Sequence, residues 1–132
     1  MYDVLLALHL LSAAIAFVTV AMFVTWTAGA PVTRLHFTIA DAAWNVSGAG
    51  LLVFGVWLAL YVDGYEIWDG WILGALGLFI LTAAFGAFAR TRSLAVVNGE
   101  AESSDGRLAL WNWLRTLALV GILVLMVWKP GA

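Results

Sequence analysis

Arg115 stands inside "LALWNWLRTLALVGILVLMVW" (Leu108–Trp128), a run whose other side chains suit a lipid environment apart from Asn112 and Thr116. A guanidinium stays charged and carries five N–H donors, so it needs acceptors, a counter-ion or a route to water. The residues from which chemistry could be built are few: His9, Asp41, Asn45, Asn112, Arg115 and Met126. Asp41 and Arg115 could hold a buried ion pair or pass a proton. Asn45 follows Asp41 by four positions and Asn112 precedes Arg115 by three, so each amide shares a helical face with its charge. A polar cluster of Asp41, Asn45, Asn112 and Arg115 would satisfy its members internally. Such a cluster reads as structural glue before it reads as an ion path, because no second carboxylate lies deeper to continue a relay. Two simpler roles stand beside it. "TIAD" (Thr38–Asp41) matches an N-terminal capping box, which would make Asp41 a first-turn carboxylate near the helix dipole. Arg115 could also run its stem back to the inner interface. Direct Asp41–Arg115 pairing is left open.

His9 is the one ionisable side chain of the first apolar run. An imidazole there is a ligand type for haem b or copper, and Met126, at the same boundary, is the one second ligand on offer. His36 falls at the opposite boundary and cannot pair with His9 across one haem. The simpler reading is a histidine hydrogen-bonded to a neighbouring backbone group or to Ser12.

These side chains must be held by elements immersed in lipid. Of 132 residues, 64% are hydrophobic and 11% charged, with a mean hydropathy of +1.01. A soluble chain this short has too high a surface-to-volume ratio to hide that much apolar surface, so the lipid bilayer is its partner. A net charge of −2 argues against nucleic acid, and the lack of cysteine excludes disulfides and thiolate chemistry. Four apolar runs, Val4–Thr27, Thr38–Val62, Trp71–Ala89 and Leu108–Trp128, each approach or exceed the ~20 residues a helix needs to cross a bilayer. None alternates as a transmembrane strand would. "TAGA" (Thr27–Ala30) resembles a leader cleavage site, but the run before it is too long for a signal core and lacks a basic start, so the helix is expected to be retained.

The expected fold is therefore all-α: a four-helix antiparallel transmembrane bundle forming a single domain over residues 1–132. Short connections, "GAPVTRLHF" and "DGYEIWDG", join helices one to two and two to three. The one long connection, "RTRSLAVVNGEAESSDGR", is expected to end in an N-cap at Ser104 or Asp105, and "KPGA" stops the last helix. Arg34, Arg90, Arg92 and Arg107 gather on the first and third connections, while Asp63, Glu66 and Asp69 occupy the second. The positive-inside rule then puts both termini outside the plasma membrane. The tryptophans divide into two belts: Trp26, Trp44, Trp111 and Trp113 inside, and Trp57, Trp68, Trp71 and Trp128 outside. Small residues line single faces: Ser12 and Ala16 with His9, Gly48 and Gly55 with Asp41 and Asn45, and Gly70, Gly74 and Gly77 with Ala84. Interior packing explains these stripes more simply than a homodimer seam does.

The stretch "SGAGLLVFGVWLALYVDGYEIWDGWILGALGLFILTAAFGA" (Ser47–Ala87) and the opening "LLALHLLSAAIAF" (Leu5–Phe17) resemble bacterial membrane proteins of domain-of-unknown-function family 2269. More distantly, through His9, the chain is similar to copper-resistance D proteins and HemJ-type protoporphyrinogen oxidases. The nearer resemblance implies a multi-pass membrane fold and no particular activity. The distant one implies a haem or copper site at His9, although no second histidine lies at its depth. The sequence thus supports first a non-enzymatic structural or accessory protein, as a homo-oligomer or within a larger membrane complex. The alternatives are a haem b or copper protein using His9, and proton or ion transport through Asp41 and Arg115.

Overall fold

A computed structural model describes residues 1–30, 33–100 and 106–129. They form α1 (Tyr2–Thr27), α2 (Arg34–Tyr61), α3 (Gly70–Val97) and α4 (Gly106–Trp128), with no strand among the described residues. Each helix is long and apolar enough to cross a membrane, which is the build of a small multi-pass membrane protein. At 1.5 Å per residue, even the shortest, at 23 residues, exceeds the ~30 Å hydrocarbon core.

Two boundaries differ from the sequence expectation, for physical reasons. The Thr33 hydroxyl oxygen accepts the His36 N–H at 3.2 Å, so α2 starts at Arg34 rather than Thr38. That start places Asp41 two turns inside the helix. Thr38 donates its hydroxyl back to the Arg34 carbonyl at 2.8 Å, so "TIAD" is not the cap. Helix α3 runs to Val97, two turns past Ala89. Arginines at 90 and 92 do not break a helix, because their stems lie along it while their heads reach water. Leu94 and Val97 continue its apolar face and cover a cluster of Phe23, Phe37 and Ala40. The stop comes at Asn98–Gly99. There Gly99, with φ +78°, donates its N–H to the Val96 carbonyl, and Glu100 donates to that of Ala95. This is the paired-bond Schellman closure, which needs a left-handed residue. "TAGA" closes α1 the same way, with Gly29 at φ +106° donating to Trp26 and Ala30 donating to Thr25. The expected caps Ser104 and Asp105, and Pro130–Ala132 of "KPGA", lie outside the described residues.

Helix α1 packs chiefly on α2, and α3 on α4, making two hairpins that meet more sparingly along α1–α4 and α2–α3. Within the first hairpin Gly50 permits the closest approach. A Cβ there would lie 2.3 Å from Ser12 Oγ. In the second, a Cβ on Gly74 would lie 3.1 Å from Leu125 and one on Gly121 3.0 Å from Leu78. Small residues thus draw the backbones together where lipid supplies no squeezing force. The stripes hold only in part. Ser12 and Ala16 are buried as expected, but Gly70 and Gly77 face open space. Buried hydroxyls return to their own helices: Ser12 to Leu8, Thr19 to Ile15 and Thr82 to Leu78, all within 2.8 Å. None is left as an orphan in an apolar medium. Outward faces carry Leu10, Val18, Val46, Leu60, Ile80, Leu117 and Val127, a surface suited to acyl chains.

The bundle has two unlike ends. The end with Arg34, Arg90, Arg92 and Arg107 is called the basic end below. The other, with Asp3, Asp63, Glu66, Asp69 and Lys129, is the acidic end.

Candidate functional site

Arg115 lies near the middle of α4 and is only 2% exposed. It does not run out to the interface. Its guanidinium carbon sits 4.3 Å from the Phe23 ring centroid and 4.7 Å from that of Trp44. The Nη2–H donates to Asn112 Oδ1 at 2.6 Å. Asn112 Nδ2 in turn donates to Thr27 Oγ1 at 2.7 Å, and the Thr27 hydroxyl donates to the Phe23 carbonyl at 3.0 Å. On α3, Gly86 makes the room. A Cβ there would lie 3.1 Å from Trp44 Nε1 and 3.5 Å from Arg115 Cδ. The guanidinium is thus met by Phe23 on α1, Trp44 on α2 and Asn112 on α4, while Gly86 on α3 leaves space beside it, where a Cβ would lie 3.6 Å from Nη1. Two desolvated ring faces attract a cation with about 2 kcal/mol or more each, which offsets part of the burial cost. Its Nε–H has no acceptor.

The four-member polar cluster does not form as one network. Asn112 and Arg115 are joined, but Asp41 takes Arg90 of α3 instead, with Nε at 3.2 Å from Oδ1 and 3.0 Å from Oδ2. Asn45, exposed, donates to the backbone carbonyl of Asp41 at 2.8 Å. The longer α3 is the cause: it carries Arg90, 53% exposed, alongside Asp41, 19% exposed, at the surface of the basic end. Asp41 makes no ion pair or hydrogen bond with Arg115. Together with Arg34, which donates to Asn98 Oδ1, these links bind the two hairpins throughout the basic half.

The acidic half is built otherwise. A cavity of about 380 Å³ opens between the hairpins, walled by residues of all four helices and of the α2–α3 connection. His9 and Met126, expected at one depth, both line it. The imidazole is turned to α2. Its Cε1, the atom between the two nitrogens, would lie 2.9 Å from a Cβ on Gly55, and the Leu51 carbonyl is its backbone neighbour. Nδ1 is buried with no hydrogen-bond partner, and Ser12 is occupied with Leu8. Among the described residues no group of three or more His, Cys, Asp or Glu is placed to hold a metal ion.

At the mouth of the cavity lies Lys129. It adopts φ +44° just past α4, and its Nζ donates to Tyr65 Oη at 2.6 Å. The ammonium lies 4.8 Å from the Tyr65 ring centroid and 5.5 Å from that of Trp71, rings that meet edge to face. Trp71 is 6% exposed, lines the cavity, and has an Nε1–H without an acceptor.

Sequence reasoning passed over Phe23, Thr27, Gly86, Lys129 and Tyr65, and placed Trp44 and Trp71 in interfacial belts. Both indoles also turn toward neighbouring helices, Trp71 buried and Trp44 half-buried. Lys129 was legible as the one basic residue at an acidic end, but its aromatic neighbours come from a distant connection. No family model, curated protein or solved structure matches this chain.

Proposed function

We propose that this chain is a non-catalytic accessory protein of the plasma membrane that holds a bilayer-dissolved molecule between its two hairpins. The observation that carries this reading is the cavity, within the usual size range for small-molecule sites and mostly apolar in its walls. Leu119 on α4 and Lys129 just past its end, ten positions apart, give it a depth of about 15 Å. That is half the ~30 Å hydrocarbon core, the reach of one leaflet. In this proposal the basic end faces the cytoplasm and both termini lie outside. An accessory chain of this kind works beside a second copy or a larger membrane complex, through its lipid-facing helices. Kinship with domain-of-unknown-function family 2269 belongs to the same proposal and adds no activity to it.

The test is extraction. Protein purified in mild detergent and extracted with organic solvent should release close to one amphiphile per chain by mass spectrometry. Ala13→Phe, which fills the cavity wall, should lose that molecule while its unfolding transition remains cooperative. A chain that releases nothing beyond detergent would end the reading.

The second reading, haem b or copper at His9, is favoured by one observation: Met126 shares the cavity with it. An optical spectrum and metal analysis of the same sample decide it, since His9→Ala would abolish a Soret band or bound copper.

A further inference from the structure

The mouth of the cavity has a chemistry of its own. Lys129 offers its remaining N–H donors. Tyr65 Oη, which accepts from Lys129, keeps its own O–H free to donate. Trp71 lends the ammonium its ring face, while its own Nε1–H is sealed in the cavity wall. Among the described residues two donors, one of them cationic, thus meet at this opening with no acceptor beyond the phenol oxygen. The connection does carry carboxylates, at Asp63, Glu66 and Asp69, yet Lys129 forms an ion pair with none of them. Asp69 Oδ2 is instead engaged with the Glu66 N–H at 3.1 Å.

An ammonium whose remaining N–H donors have no acceptor is unfavourable in a low-dielectric setting. The complement is an anionic group with several oxygens. Below it the walls are apolar for about one leaflet's depth, and the rim residues Leu10, Leu123 and Val127 are exposed, so the cavity opens sideways to lipid.

Resting on the cavity reading above, we infer that the site binds an anionic phospholipid, its phosphate at Lys129 and Tyr65 and one acyl chain in the cavity toward His9. The second chain stays in the bilayer against the exposed rim. A phosphodiester suits the ammonium and the phenol better than a carboxylate because it presents more acceptor oxygens, and the sideways opening lets a two-chain lipid bind without leaving the membrane.

The experiment reconstitutes the full chain into vesicles of equal phosphatidylglycerol and phosphatidylcholine, then counts retained lipids by native mass spectrometry. Retained phosphatidylglycerol should exceed phosphatidylcholine by about fivefold, the preference one lysine confers near anionic lipid. Lys129→Gln should bring the ratio to about one with total lipid unchanged. Tyr65→Phe, which keeps the ring and removes one donor to the phosphodiester that both lipids carry, should lower total retained lipid about threefold and leave the ratio near fivefold. Thermal unfolding in pure phosphatidylcholine confirms that both variants are folded. A wild-type ratio near one, or a ratio indifferent to Lys129→Gln, overturns the anionic assignment and leaves the cavity reading standing. Retention of no lipid overturns both. In vesicles doped with oleate, retention of oleate in place of phosphatidylglycerol overturns the phospholipid.

Discussion

Asn112→Ala is the substitution for which the Arg115 site makes its sharpest demand. Arg115 is 2% exposed, its Nε–H already lacks an acceptor, and its one hydrogen bond goes to Asn112. Removing the amide takes away a bond from a charged donor, worth about 1.5–3 kcal/mol. It also takes the Asn112–Thr27 link, for which bonds between membrane helices average about 0.6 kcal/mol. The expected destabilisation is about 2–4 kcal/mol. Arg115→Met keeps much of the volume and removes the charge. It forfeits the attraction of Phe23 and Trp44 but also the desolvation of a guanidinium, and replacements of buried ions by apolar groups are often neutral or stabilising. It should lie within about 1 kcal/mol of wild type. The double variant should then lie about 0.6 kcal/mol below Arg115→Met, for the Asn112–Thr27 link alone, giving a coupling of about 1.5–3 kcal/mol. Reversible unfolding in mixed micelles, followed by tryptophan fluorescence, measures all three. An Asn112→Ala loss under about 0.5 kcal/mol, or strict additivity, would refute the reasoning.

Other perturbations separate the seams from the surface. Gly86→Val should cost about 1–3 kcal/mol by overpacking, since a Cβ already meets Trp44 Nε1 at 3.1 Å; a shift in the fluorescence-detected transition reads it. Gly50→Ala should destabilise the first hairpin by a similar amount, about 1–3 kcal/mol, and Ser12→Ala in the same chain should recover part of it by removing the hydroxyl at 2.3 Å. Micelle unfolding midpoints compare the single and double variants. Asp41→Asn should change stability by only about 0.2–1 kcal/mol, because its partner Arg90 is half exposed and salt screens the pair; a melt repeated at high ionic strength should erase the difference.

Much of this arrangement could be read from the residues. Four apolar runs of spanning length leave only helices, and arginines gathered on alternate connections already imply two unlike ends. Enclosure of Arg115 was one of two readings the residues allowed, the other being a stem run out to the interface, and Asn112 three positions earlier already shared its face. What could not be read was which surfaces face each other. Arg90 looks like a loop charge unless one knows that α3 continues to Val97, and that continuation depends on Leu94 and Val97 finding the Phe23–Phe37 cluster. Trp44 and Trp71 resemble belt residues because an indole suits both an interface and an interior. The mouth of the cavity unites Tyr65 and Lys129, 64 positions apart, a pairing set by the hairpin–hairpin contact and by no local pattern.

The chain has no cysteine, so single cysteines can be added along α4 and spin-labelled in vesicles without a background. Collision with oxygen and with a water-soluble nickel complex then reports lipid, water or protein at each position. The account predicts high oxygen and low nickel accessibility at positions 110, 113, 117, 120 and 124, which are exposed, and low accessibility to both at 108, 118 and 119, which are buried. Nickel accessibility in the middle of α4, or an oxygen pattern without helical periodicity, would contradict a bundle that encloses Arg115 within the membrane.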